Sequence, residues 1–169
     1  MTVSLSDDEV WAFLDRAVTG ILTTIRSDGF PIALPVWFVV IDREIYLRTA
    51  LSSPKVRRLR RDGRVGFLVE SGERWEELSA VSIVAQATLI DDDLLIRRVL
   101  DTRADKYAGR GLSDDVPAAT VRHYARASAV IRLTPIGRPV SWDNGRLRRT
   151  APPADTRPEI QDVREMKGN

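Results

Sequence analysis

The chain has 169 residues, 43% of them apolar and 30% charged, with a formal net charge of +2; this is enough for one buried core, and too balanced for a disordered chain or a globally basic nucleic-acid binder. With no cysteine and a single histidine, His123, disulfides, thiolate metal sites, histidine clusters and a cysteine nucleophile are excluded. No apolar run approaches the roughly 18 residues of a membrane span, and the acidic opening MTVSLSDDEVW lacks a secretory pattern, so the expectation is a cytosolic protein without a membrane partner.

Ser6 followed by Glu9 forms a capping-box pattern, and Leu5, Val10, Phe13, Leu14 and Ala17 recur near helical spacing, which predicts a helix over 7–17. Gly20 to Ile25 is β-branched and apolar, Ser27-Asp28-Gly29 signals a turn, and Pro31 to Ile41 returns as the longer arm of a hairpin. That arm is apolar on both faces: Ile32, Leu34, Val36, Phe38 and Val40 alternate with Ala33, Pro35, Trp37 and Val39. The pattern predicts a barrel wall whose outer face meets another surface, with a bulge near the mid-strand Pro35.

Ile45 to Glu70 carries the most chemistry. Ile45 to Thr49 alternates as a strand, Ser53 suits an N-cap, Pro54 suits the first helical position, and Val56 and Leu59 make one apolar stripe before Asp62-Gly63 ends the helix. A helix start presents free N–H groups and the positive end of a dipole, here with Lys55 in the first turn and Arg48 on the preceding strand; these are the parts of a phosphate site. A solvated basic face bearing Arg57, Arg58, Arg60 and Arg61 fits the same residues. Nucleic-acid binding by this helix is disfavoured because no aromatic residues interleave its cations.

Arg64 to Glu70 reads as a strand, and Trp75 follows in a polar loop. Val81 to Leu89 is a long alternating strand in which Ala85 and Ala87 leave space. Asp91-Asp92-Asp93 opens a helix through Leu94, Leu95, Val99 and Leu100, its acids reading as caps before metal ligands. A helix from Ser113 to Tyr124, a strand from Ala127 to Thr134 and a short strand from Pro139 to Trp142 complete the pattern. His123 reads as a surface residue and Tyr107 as a candidate proton donor, while Trp75 and Trp142 fit either packing or a lid. Some six antiparallel strands with peripheral helices predict an α+β protein built on a small barrel. Residues 1–143 form the predicted domain, and 144–169, rich in Pro, Arg, Asp and Glu, read as a tail that is mobile or packed on a partner subunit.

The order of these motifs resembles the FMN-binding split-barrel proteins, the pyridoxamine 5'-phosphate oxidase-like superfamily that also contains deazaflavin-dependent reductases. The segments that carry the resemblance are GILTTIRSDGFPIALPVWFVV, IYLRTALSSPKVRRLRRDGRVGFLVE, VSIVAQATLIDD and VIRLTPIGRPVSWD, within residues 5–143. The resemblance implies a split β-barrel acting as a homodimer, with FMN or, alternatively, the deazaflavin coenzyme F-420 in each of two grooves at the subunit interface. It implies that the cofactor's phosphate meets Arg48, Thr49, Ser53 and Lys55, and that its ring lies against Pro35, Val36, Trp37 and Phe38. The longer anionic tail of a deazaflavin coenzyme would gain from Arg57, Arg58 and Arg60. The implied activity is hydride transfer to or from a small organic substrate, and the alternative is a non-catalytic flavin- or haem-binding barrel. Two departures stand out: Ala85-Gln86 replaces a glycine common in relatives, and Arg138 to Trp142 does not reproduce the pyridoxine phosphate pattern of the true oxidase.

Overall fold

The computed structural model describes residues 3–111, 116–120 and 127–148. Its elements are α1 (Asp7–Arg16), β1 (Thr19–Ile25), β2 (Pro31–Ile41), β3 (Glu44–Ala50), α2 (Pro54–Arg61), β4 (Arg64–Ser71), β5 (Ser79–Ile90), α3 (Asp93–Lys106), β6 (Ser128–Pro135) and β7 (Val140–Asp143). A 3-10 turn, Trp75–Glu77, joins β4 to β5, and one helical turn, Gly145–Arg148, follows β7. Most of the predicted helix from Ser113 to Tyr124, with His123, lies outside the described residues.

The strands run antiparallel in the order β4-β1-β2-β3-β6-β5, and a β4–β5 ladder from Arg64↔Gln86 to Ser71↔Ser79 closes the ring, with β7 added on β5. Phe38, Phe67, Ile45, Ile83, Ile131 and Leu133 fill the interior. Leu14 of α1 and Leu59 of α2 join the same core, so each helix closes an end of the barrel. Gly20 permits the tight centre: a Cβ there would come within 2.3 Å of the Phe67 ring, which packs edge-on against Phe38. The local signals hold where they were strongest. Ser6 and Glu9 make both bonds of the capping box, Ser53 accepts from the Val56 N–H, and Asp92 caps α3 through the N–H groups of Leu94 and Leu95.

The second strand changes partners halfway. Thr19↔Trp37 to Ile25↔Pro31 pair β1 with β2, whereas Phe38↔Leu47 to Ile41↔Glu44 pair β2 with β3. The register runs unbroken through Pro35, so the expected bulge is absent. Beside Pro35 the β3 edge has no strand, and a residue without an N–H costs the ladder nothing there. The Tyr107 hydroxyl marks the switch: it accepts from the Phe38 N–H at 2.8 Å and lies 2.8 Å from both the Phe38 and the Val18 carbonyls. Val18 is where the next β1 partner of Phe38 would stand, so the phenol takes the place of one missing strand pair.

Both faces of β2 need cover, and only one half of the outer face finds it among the described residues. Val39 and Ile41 pack with Tyr46, Val99, Tyr107 and Val130 beneath α3, so a helix of the same chain covers the half of the face expected to need a partner. The other half, Ala33 and Pro35, remains exposed. Within residues 144–148, the only part of the expected tail that is described, Arg146 reaches back to the Ser4 carbonyl and the Glu9 carboxylate.

Candidate functional site

The α2 N-terminus brings together part of the predicted phosphate set. Thr49, at the end of β3, lies with its hydroxyl 3.4 Å from that of Ser53, which caps the helix, and Pro54 removes an N–H from the first turn. Lys55 is half-buried one residue later. Burial, and then the charge of Arg58, push its amine below the usual lysine range, and no carboxylate among the described residues counters them. Arg58 itself is anchored, its Nε donating to the buried Thr24 hydroxyl at 2.9 Å. Arg61, at the other end of the helix, donates to the Ile25 carbonyl at 2.6 Å.

The predicted ring-binding segment divides by side. Val36 and Phe38 point into the barrel core, Phe38 being 1% exposed, so a planar ligand against this segment would meet main chain, Pro35 or Trp37. Main-chain direction alternates along a strand. Arg26 N–H donates to Phe30 C=O, and Phe38 turns both its polar groups to the β1 side; the even-numbered residues therefore serve the β1 ladder. Pro31, Ala33, Pro35 and Trp37 aim theirs at the opposite edge, which β3 occupies only from Phe38 onward. An open edge thus faces the gap that leads to Thr49 and α2.

Arg48 stands apart from Lys55 in its contacts. It lies on the outer face of β3 and donates from Nε to the Ser128 hydroxyl at 3.2 Å. Nearby Trp37 stacks on Tyr107, with ring centroids 4.4 Å apart and planes within 4°, and the Arg103 guanidinium lies 5.4 Å from the Trp37 centroid. Arg103 is a residue that the sequence reading missed. Burial and the neighbouring Arg48 charge lower its pKa, and among the described residues its buried Nε has no hydrogen-bond partner. Lys106 Nζ is likewise buried without one, 4.3 Å from the Phe38 centroid. The signal was in α3: Arg103 and Lys106 interrupt the stripe that Leu95, Val99 and Tyr107 continue. Tyr107 proves to be a structural wedge, and its pKa is raised by burial, which argues against the proton-donor reading.

Two clefts complete the surface. One of about 700 Å³ lies beside the β2–β3 turn, at the end of the barrel away from α2. Its charges are already spoken for: Arg43 pairs with Asp8, Arg138 with Asp7, and Glu44 accepts from Tyr46 and Thr134. The other, about 350 Å³, is lined by Thr23, Ile25, Arg64 and Gly66 on the outer sheet face. Across the ladders Ile21, Thr23, Ala33, Pro35, Leu68 and Val84 share that face, which no described helix covers, and Val84 is 63% exposed. Among the described residues no helix is long and apolar enough to cross a membrane, and no acidic or histidine cluster could hold a metal.

Comparison with known proteins agrees with this architecture. The conserved hypothetical protein Rv2991 from Mycobacterium tuberculosis is 32% identical, with a TM-score of 0.73 over 86% of this chain and 89% of that one. An FAD-binding protein from Mesorhizobium loti (17% identity, TM-score 0.63, covering 82% and 94%) shares the fold. So does the haem storage protein HutZ from Vibrio cholerae (15% identity, TM-score 0.63, covering 85% and 98%). The family model for pyridoxamine 5'-phosphate oxidase matches residues 6–137, from the α1 cap to the turn after β6, and the chain therefore belongs to that family, with its split-barrel fold.

Proposed function

We propose that the protein is an oxidoreductase of the pyridoxamine 5'-phosphate oxidase-like class, acting as a homodimer that holds FMN or a deazaflavin coenzyme. The observation that carries this reading is the half-buried Lys55 at a capped helix start, its charge opposed by burial and by Arg58 and met by no acid among the described residues. Such a place is stabilised when an anion arrives. The open β2 edge beside it offers main-chain groups to a planar ring, and Arg48 and Arg103 next to Trp37 offer an anion-receiving rim for a small organic substrate. The bound group would supply the hydride chemistry, while these residues bind and orient.

A second copy is the occupant proposed for the uncovered sheet face of Ile21, Pro35, Leu68 and Val84, because a flat apolar face next to the ligand groove gives a two-fold pair a common seat. One observation favours a non-catalytic binding barrel instead. The Tyr107 hydroxyl is consumed by main chain, and no described carboxylate adjoins the groove. Titration with FMN and with the deazaflavin coenzyme, read by absorption and fluorescence, tests the binding. Turnover with a reductant and an acceptor then separates the two readings. Binding of neither ligand removes both.

A further inference from the structure

On its open edge β2 presents the carbonyls of Pro31, Ala33 and Pro35, whereas N–H groups come only from Ala33 and Trp37. Four ordinary residues in this orientation would present four donors. The two prolines silence alternate ones, both standing at odd-numbered positions, whose nitrogens face the gap rather than β1.

We propose that Pro35 lets this site accept a 5-deazaflavin ring as readily as a flavin ring, by withholding a main-chain donor that an ordinary strand residue would supply. The inference rests on the reading above, that a ring of this type lies on the open edge. The two rings differ at position 5, where flavin has a nitrogen that accepts a hydrogen bond and 5-deazaflavin has a C–H that accepts none. Selectivity against a missing acceptor arises only in a site that spends a donor on it, for that donor is then left unpaired. An edge rich in carbonyls instead recognises ring N–H groups, which both rings carry at the pyrimidine end. Ring atoms opposite residue 35 meet no donor and lose nothing when a nitrogen becomes a carbon.

The prolines could serve only to stop another strand from adding to the edge, and the experiment separates the two roles. Wild type, Pro35→Ala and Pro31→Ala are titrated with FMN and with 5-deaza-FMN, which share chain and phosphate, and each variant is melted alongside; Pro35→Val, a better strand former, replaces Pro35→Ala if the latter melts early. The proposal expects the two wild-type dissociation constants to agree within about threefold, and Pro35→Ala to tighten FMN by about three- to tenfold with 5-deaza-FMN unchanged. Pro31→Ala should leave the ratio near its wild-type value. A wild-type preference for FMN of about tenfold or more, an unchanged ratio in folded Pro35 variants, or a shift confined to Pro31→Ala would each overturn it. Failure of wild type to bind either ligand would instead bring down the cofactor reading, and this inference with it.

Discussion

Lys55→Met should weaken cofactor binding and at the same time raise the stability of the unliganded protein. The amine sits half-buried against Arg58 with its pKa lowered by burial first, so the folded state holds its proton less firmly than the unfolded chain does. Between the lowered value and the ordinary one near 10.5 the unfolded state binds more protons, and stability rises with pH there. Below that window the wild type carries the full cost of a charge that no described acid offsets, and methionine removes it. The ligand works in the opposite direction: a charge-assisted contact of about 1.5–3 kcal/mol is lost, or about a ten- to 150-fold rise in dissociation constant. Arg61→Ala is the matched control, being about 9 Å further along the helix at 1.5 Å per residue, near one Debye length at physiological salt. Its bond to the Ile25 carbonyl ties α2 to β1, so its loss should lower the melting temperature while changing affinity at most about threefold. The assay pairs ligand titration with thermal melts of the apo proteins from pH 6 to 10. Equal losses of affinity in both variants, or a Lys55→Met protein that melts earlier than wild type, would refute the reasoning.

Tyr107→Phe removes a hydroxyl that serves one N–H and two carbonyls, and denaturant unfolding should show a loss of about 1–3 kcal/mol from the buried groups left unpaired. A proton donor would instead lose turnover at unchanged stability. The Glu9 carboxyl, held down to about 2 chiefly by its bond to Arg146 and then by Ser6, contributes stability above the ordinary value of 4.5 that disappears as pH falls through about 2. Thermal melts of Glu9→Gln should therefore lie below wild type at pH 7 and converge with it across that acid range. Val84→Glu places a charge on the uncovered sheet face, and sedimentation should report a monomer that still folds; a dimer of unchanged strength would move the proposed interface elsewhere.

Much of the fold was legible because its signals are local. A serine three residues before a glutamate, or a serine before a proline and an apolar stripe, fixes a helix start through bonds made within one turn, and both starts are where the spacing put them. The partner exchange of β2 was not legible, since Pro31 to Ile41 is uniformly apolar and nothing in it says that Phe38 belongs to a different neighbour from Trp37. The site shows the same division. Thr49 and Ser53 follow one another closely in the chain and meet in space, with Lys55 in the helical turn that follows, whereas Arg48 turns to Ser128, 80 residues away, and Arg103 reaches Trp37 only because α3 crosses β2. Cations on a helix suggest solvent until the stripe they interrupt is found packed on a wall.

The phenol wedge also gives the chain a folding order. Tyr107 lies 69 residues beyond Phe38 and 89 beyond Val18, so the contact that limits the first hairpin closes long loops and cannot form early. The β1–β2 hairpin, by contrast, needs only a short turn and can zip quickly. Until α3 docks, the Phe38 N–H and the Val18 carbonyl lack the bonds that the phenol supplies, while the opposite edge of β2 is free to pair with β3. The bonds of the phenol therefore form late, and their loss in Tyr107→Phe should speed unfolding while leaving the refolding rate nearly unchanged.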